Sequence, residues 1–229
     1  MPADTALVQA LRSALAGAAD PAKAPAMQAY VKSAMPYRGV QAPQARRLFR
    51  EVILGHPLPD RATWADTVRA LWDGATHREE RYGALAVAGH RLYRAHQDPQ
   101  TLDLYRHLVV TGAWWDYVDD IAAHKVGPIL RAHPGQVRPV VLTWSTDPVL
   151  WLRRTAILSQ LGSKGATDRD LLAACIEPNL ADREFFVRKA IGWALRNLAR
   201  TDPDWVRRYV RDQGDRLSPL SRREATKHL

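Results

Sequence analysis

The stretch EFFVRKAIGWALRNLA, residues 184–199, indicates the fold class, because its apolar residues recur at intervals of three and four. These apolar positions are Val187, Ile191, Ala194, Leu195 and Leu198. Such spacing places side chains on one face of an α-helix, whereas a strand would alternate at every second residue. The same spacing recurs along almost the whole chain, and alternating runs of β-branched and aromatic residues do not occur in the sequence. The sequence therefore predicts an all-α protein.

Several helix starts are marked by an aspartate or a serine directly before a proline. Asp and Ser side chains cap helix N-termini, and proline is tolerated at the first helical position because its missing N–H needs no partner there. The dipeptides of this kind are Asp20-Pro21, Asp98-Pro99, Asp147-Pro148, Asp202-Pro203 and Ser218-Pro219. About a dozen helices of roughly 10 to 20 residues with short connections favour stacked helical pairs over a four-helix bundle. A compact, non-repeating helical domain is the alternative, since the caps are not regularly spaced.

The composition indicates a globular chain with an excess of positive charge. Of its 229 residues, 46% are hydrophobic and 25% are charged, which is ordinary for a soluble protein with a substantial core. The 33 Lys and Arg residues outnumber the 24 Asp and Glu residues, giving a formal net charge of +9. This charge attracts polyanions such as nucleic acids without identifying one. A basic surface that binds nothing is the alternative.

The single cysteine, Cys175, lies in an apolar run, so we expect a small core residue in a reducing compartment. No stretch of the sequence approaches the roughly 18 apolar residues of a membrane helix, and the first residues lack a signal-peptide pattern. We therefore expect a cytoplasmic monomer with no membrane segment. The sequence also lacks metal-ligand and nucleotide-binding motifs, so neither a metal nor a cofactor is expected.

The first candidate site lies in AWWDYVDD, residues 113–120, where Trp115 and Asp119 are four residues apart. On a helix these two residues share a face, beside a core stripe through Trp114 and Val118. A carboxylate next to an aromatic ring could stabilise a developing carbocation in a groove. The alternative is that Trp115 packs at the rim of the core and Asp119 is an ordinary acid.

Trp193 is the second candidate, because it lies away from the apolar face of its predicted helix. Its neighbours on that side are Lys189, Arg196 and Arg200. A tryptophan among cations suits base stacking, contact with a sugar, or a cation–π interaction. Packing against a neighbouring helix is equally consistent with the pattern.

Arg154 is the third candidate, because it falls within the apolar stripe of Leu150, Ile157 and Leu158. An unpaired buried cation is costly, so the guanidinium must have a partner. That partner is either an acid on a neighbouring helix or a nucleic-acid phosphate, which a guanidinium also binds well.

Four stretches together resemble the AlkD family of DNA alkylation repair glycosylases, and the similarity extends over essentially the whole chain. They are residues 113–119, 151–158, 184–193 and 220–225, with further similarity at residues 39–47 and 70–73. The resemblance implies a HEAT-like solenoid of paired helices, forming one domain over residues 1–229, whose concave basic surface holds duplex DNA. It also implies hydrolysis of the N-glycosidic bond of alkylated purines without extrusion of the base into a closed pocket.

The resemblance also implies roles for individual residues. By motif, Asp119 corresponds to the catalytic carboxylate, Trp115 and Trp193 to the rings beside the deoxyribose, and Arg154 to a phosphate clamp. Lys189 is expected to contact DNA as well. Further matches to family positions near the DNA are Tyr30, Gln41, Arg46 and Arg47.

The chemistry of such a reaction agrees with the residues available. A purine alkylated at a ring nitrogen is positively charged and leaves readily, so N7-methylguanine and N3-methyladenine are the expected substrates. One carboxylate can then stabilise the oxocarbenium-like sugar and orient the attacking water. The competing interpretation is a non-catalytic helical-repeat module that binds DNA or protein. Such a module would keep the basic residues but would not need Asp119 beside Trp115.

Overall fold

The computed structural model describes residues 2–229 and confirms the all-helical fold class, consistent with a helical-repeat protein. Over those residues the chain forms no β-strand. It divides into two compact units, Met1–His96 and Gln97–Leu229. A single domain over residues 1–229 stays a prediction. None of the described helices combines the length and apolar character that a membrane crossing requires.

Five α-helices make up the first unit in the part of it that the structure describes. They are α1 (Thr5–Gly17), α2 (Ala24–Val31), α3 (Ala42–Gly55), α4 (Arg61–Asp73) and α5 (Arg78–Ala88). Helix α1 packs against α3, and α4 packs against α5. The core between these helices contains leucines of α1 at intervals of four and two fully buried tryptophans of α4: Leu7, Leu11, Leu15, Trp64 and Trp72.

A buried carboxylate at the start of α5 holds the loop that leads into α3. Glu79 accepts hydrogen bonds from the backbone N–H groups of residues 38–40, at 2.9 to 3.1 Å. Gly39 has a φ of 86°, and a Cβ there would lie 2.0 Å from the carbonyl oxygen of Asp20. Only glycine fits this position. The loop ends at Gln41, so Glu79 binds the backbone directly before α3.

The second unit contains nine α-helices in its described residues. They are α6 (Leu102–Gly112), α7 (Trp115–Ile121), α8 (Gly127–Ala132), α9 (Pro134–Ser145), α10 (Leu150–Leu158), α11 (Arg169–Ile176), α12 (Phe185–Ala199), α13 (Pro203–Gln213) and α14 (Pro219–Ala225). Helix α10 packs against α7, α9 and α12, and α12 packs against α14. Helix α10 is therefore central to this unit.

Helices α7 and α8 are joined without a break by one π-helical segment, Ala122–Val126. Pro128 follows it, and a proline inside a helix both lacks an N–H and clashes with the carbonyl four residues before. A wider π turn accommodates that clash. Gly127 allows the close approach to α10, since a Cβ there would lie 2.4 Å from the Ser159 carbonyl oxygen.

The predicted helix starts are confirmed in part. Asp202 caps α13 and Ser218 caps α14, each accepting a hydrogen bond from the backbone N–H three residues later. Asp98 caps a short 3-10 turn directly before α6. Asp20 and Asp147 instead accept from the N–H two residues later, so they form turns, and α2 and α10 begin a few residues further on.

The predicted core positions of α12 are confirmed. Its stripe of apolar residues is buried: Val187, Ile191, Ala194, Leu195 and Leu198. Cys175 on α11 is buried as well, and this burial raises the pKa of its thiol to about 12. A thiol with so high a pKa is almost never a thiolate near neutral pH, so Cys175 acts as a small core residue.

A glycine brings α12 and α14 unusually close together. A Cβ at Gly192 would lie 2.5 Å from the Glu224 Cβ and 2.8 Å from the Ser221 carbonyl oxygen. The hydroxyl of Ser221 also donates a hydrogen bond to the Arg188 carbonyl oxygen at 2.8 Å. The position of α14 on α12 therefore depends on residue 192 having no side chain.

We expect Gly192→Ala to lower the free energy of unfolding by about 1 to 3 kcal/mol, because the added methyl forces α14 away from α12. Urea unfolding followed by circular dichroism measures the change. Gly135→Ala in α9 is the matched control, because a Cβ there meets nothing within 4 Å. It should be neutral or stabilising by up to about 1 kcal/mol. Equal stability of the two variants would contradict the close packing at Gly192.

Candidate functional site

The side chains of Asp119 and Arg154 form a bidentate ion pair between α7 and α10. Arg154 donates from Nε to Oδ1 of Asp119 at 2.7 Å and from Nη2 to Oδ2 at 2.9 Å. Arg154 is only 3% exposed, as its position in the apolar stripe of α10 predicts. Of the two partners considered for it from the sequence, the structure contains the acid on a neighbouring helix. A phosphate contact by Arg154 stays a prediction.

The same guanidinium also reaches the start of α12. Its Nη1 donates to the carbonyl oxygen of Phe186 at 2.5 Å. The preceding residue, Arg153, pairs with Asp182 at 2.9 Å, just before α12. Arg153 therefore binds the segment directly before α12, and Arg154 connects the first turn of α12 to Asp119 on α7.

Burial raises the pKa of Asp119 above its usual value, while the hydrogen bonds and the positive charge of Arg154 act in the opposite direction. Both carboxylate oxygens accept hydrogen bonds from Arg154, which fits the ionised form, because a protonated carboxyl would have to use one oxygen as a donor. The side chain of Asp119 remains 15% exposed, so solvent still reaches part of it.

Aromatic rings cluster beside this ion pair. Trp114, Trp151 and Phe186 contact one another with ring centroids 5.0 to 6.0 Å apart, and Phe185 contacts Phe186 edge-on at 5.4 Å. The Arg154 guanidinium carbon lies 5.9 Å from the centre of the Phe186 ring. The cluster therefore reaches the ion pair through Phe186 and Arg154, and it ends at Phe185, which is 52% exposed.

The two tryptophans predicted to act with Asp119 are both half-buried. Trp115 is the first residue of α7 and lies one helical turn before Asp119, so the prediction that both residues lie on one helix at this spacing is confirmed. Trp193 lies in the second half of α12, outside its buried stripe. The catalytic roles of all three residues stay predictions.

Lys189 and Arg196, on either side of Trp193 along α12, are both bound by one acid. Lys189 Nζ lies 2.6 Å from Oε1 of Glu224, and Arg196 Nη1 lies 2.7 Å from Oε2. Glu224 lies in the stretch 220–225 that resembles the family, but the sequence interpretation gave this residue no role. It is the one acid in the seven residues of α14, next to two arginines, and that isolation is the signal that could have identified it.

The remaining predicted DNA-binding residues lie in the first unit and are exposed. Tyr30, on α2, is 79% exposed. Gln41 is the residue directly before α3, and Arg46 and Arg47 lie on the exposed side of that helix. Their exposure is compatible with binding a polyanion, and their contact with DNA stays a prediction.

A comparison with protein families relates these features to a known group. The sequence profile of a family described as DNA alkylation repair enzyme matches residues 11–229, nearly the whole chain. The chain belongs to the family of DNA alkylation repair enzymes. This confirms the resemblance seen in the sequence, and it supports an enzymatic role in alkylation repair with DNA as the partner.

Two solved structures resemble this member of the DNA alkylation repair family. A predicted DNA alkylation repair enzyme from Enterococcus faecalis is 30% identical, with a TM-score of 0.83 over 92% of this chain and 96% of that one. The protein smu.31 from Streptococcus mutans UA159 is 16% identical, with a TM-score of 0.60 over 81% of this chain and 97% of that one, and it shows the shared fold alone. No curated protein matches the chain.

In this alkylation repair enzyme, we expect Arg154→Ala to lower the free energy of unfolding by about 3 kcal/mol, because Asp119 would remain buried without its cation. Urea unfolding measures the loss. Arg207→Ala, which removes the exposed partner of Asp204, is the control and should cost less than about 1 kcal/mol. Normal stability of Arg154→Ala, together with a salt dependence of DNA binding reduced by about one unit, would instead favour a phosphate contact.

Proposed function

We propose that this protein is a monofunctional DNA glycosylase that hydrolyses the N-glycosidic bond of positively charged alkylated purines in duplex DNA. The observation that carries the proposal is the partly exposed Asp119 carboxylate, which is held through both of its oxygens by Arg154, a residue that also lies over the Phe186 ring. Family membership supports the same class of substrate. The products are the free base and an abasic site in the DNA.

The reaction requires stabilisation of positive charge on the sugar. When the bond between C1′ and N9 breaks, its electron pair moves onto the base and neutralises the charge of the alkylated ring. The sugar becomes an oxocarbenium ion, which a nearby carboxylate stabilises by electrostatics. Water then attacks C1′, and its proton passes to Asp119 and on to solvent.

Pairing with Arg154 leaves Asp119 able to perform this role. Each carboxylate oxygen can accept two hydrogen bonds, and Arg154 uses one on each. The remaining lone pairs can bind the attacking water. In this proposal Arg154 is a positioning residue, because it fixes the orientation of the carboxylate and connects it to the start of α12.

The aromatic residues add to the same stabilisation. The faces of aromatic rings carry partial negative charge and attract cations. We propose that Trp115 and Trp193 lie against the deoxyribose of the damaged nucleotide and stabilise the charge that develops there. A surrounding low in water strengthens these interactions, since less solvent screens them.

The direct experiment is incubation of the protein with a DNA duplex that contains one N7-methylguanine, followed by chromatographic detection of the free base. We expect release by the wild-type protein and a loss of at least about 100-fold in Asp119→Asn, because the variant lacks the charge that stabilises the transition state. Its binding to the duplex should be unchanged or slightly tighter, since one repulsion toward phosphate is removed.

Asp120→Asn is the matched control for this test. Asp120 is the next residue, is 39% exposed and lies 3.6 Å from Lys125, so its loss should leave the rate of base release within about twofold. Wild-type turnover in Asp119→Asn would exclude Asp119 as the catalytic carboxylate. Duplex binding without base release by the wild-type protein would instead indicate a non-catalytic DNA-binding module.

The proposed mechanism also predicts which lesions are released. N7-methylguanine and N3-methyladenine carry their own positive charge and leave as neutral bases, so they need no general acid. Uracil and hypoxanthine would leave as anions, and Asp119 in its ionised form cannot protonate them. Base release from matched duplexes that differ only in the lesion measures this selectivity. Efficient excision of uracil would contradict the mechanism.

A further inference from the structure

Helices α12 and α14 form a strongly basic pair with one carboxylate between them. The sequence of α12 contains three cations and no acid, and that of α14 contains two cations and Glu224. The cations are Arg188, Lys189, Arg196, Arg222 and Arg223. A surface of this composition is suited to a polyanion rather than to another protein with mixed charge.

Glu224 binds the two cations that flank Trp193 on the same face of α12. Lys189 is four residues before Trp193 and Arg196 three residues after it, so these side chains lie along one side of the helix. The two oxygens of Glu224 are used separately, Oε1 by Lys189 and Oε2 by Arg196. The carboxylate therefore bridges the two cations beside the tryptophan.

The position of Glu224 is determined by the packing of the backbone as well as by charge. The Cβ of Glu224 lies against Gly192, the residue before Trp193, where no side chain larger than hydrogen fits. Ser221 fixes α14 through its hydrogen bond to the Arg188 carbonyl oxygen. Hydrogen bonding by Lys189 also holds the pKa of Glu224 below its usual value, so the side chain is a carboxylate at neutral pH.

The two cations remain partly accessible in this arrangement. Their side chains are 36% exposed for Lys189 and 21% for Arg196, against 16% for Glu224. The three groups together carry a net charge of +1, and their exposed part is mostly cationic. A phosphate that approaches this surface must share Lys189 and Arg196 with Glu224.

We propose that Lys189, Trp193 and Arg196 form a binding surface for the phosphodiester backbone of DNA in which Glu224 competes with phosphate for the two cations. This inference rests on the proposed function, since it takes DNA as the partner. The competition lowers the affinity for any duplex while keeping both cations oriented beside Trp193. Glu224 thereby limits tight binding to undamaged DNA, whose sites greatly outnumber the damaged ones.

The test measures the affinity of the wild-type protein and of Glu224→Gln for an undamaged, fluorescein-labelled 12-base-pair duplex. Fluorescence anisotropy reports the binding at salt concentrations between 50 and 200 mM. Glutamine keeps the shape of the side chain and removes its charge. We expect the slope of log affinity against log salt to steepen by about one unit. The release of one additional counterion changes the affinity about eightfold over the tenfold range from 1 M to 0.1 M salt. Relative to its affinity at 1 M salt, the variant should therefore gain about eightfold over the wild-type protein at 0.1 M salt.

Two further variants separate this effect from a general gain of positive charge and from misfolding. Asp66→Asn removes one acid from an exposed pair with Arg69 on α4, so it changes net charge equally and should leave the slope unchanged. Lys189→Met should reduce the slope by about one unit, because Glu224 then neutralises Arg196. Melting temperatures confirm that each variant is folded in the assay.

An unchanged slope in Glu224→Gln or in Lys189→Met would overturn the inference, as would an equal steepening in Asp66→Asn. A lower melting temperature of Glu224→Gln with unchanged affinity would show that Glu224 serves stability alone, and it would also overturn it. The proposed function is tested independently of this inference. If the salt slopes change as expected but the protein releases no N7-methylguanine, the glycosylase reaction is contradicted. If the base is released normally but the salt slopes are unchanged, only the competition by Glu224 is contradicted.

Discussion

The guanidinium of Arg154 connects three helices of the second unit at the proposed catalytic site. It binds both oxygens of Asp119 on α7 and the carbonyl oxygen of Phe186 on α12, while its own helix, α10, packs against both. Three helices thus meet at one buried cation. The orientation of the carboxylate and the place where α12 begins are therefore coupled through a single side chain.

A buried ion pair of this kind contributes little net free energy to folding, because desolvation of the two ions offsets their attraction. Both ions must lose most of their water, and a well-packed apolar group at the same place often gives equal or greater stability. A pair that serves stability alone has no need of a partly exposed acid, yet the side chain of Asp119 is 15% exposed. An acid that is oriented, ionised and reachable is what stabilisation of a sugar cation requires.

On α12, as at Asp119, one charged side chain orients another of opposite charge. At Asp119 a buried cation orients an acid, and at Glu224 an acid orients two cations beside Trp193. In both cases each charged side chain limits the conformational freedom of its partner. Orientation before binding reduces the entropy that is lost on binding, although it also reduces the net charge that attracts DNA.

Much of the helical architecture could be predicted from local patterns, because helix periodicity depends on residues three and four apart. The buried stripe of α12 and the caps at Asp202 and Ser218 follow from such patterns. Asp20 and Asp147 show the limit of this approach. An aspartate before proline can cap a helix or close a turn, and the choice depends on where the next helix finds its packing partners.

The local pattern of residues is enough to predict that the chain is helical, that Trp115 and Asp119 lie one turn apart on a helix, and that Arg154 requires an anionic partner. The identity of that anion, Asp119, and the position of Glu224 between Lys189 and Arg196 depend on how the helices pack. Asp119 is 35 residues from Arg154 in the chain, and Glu224 is 35 from Lys189. No local periodicity carries information over such separations, because these contacts depend on how whole helices pack.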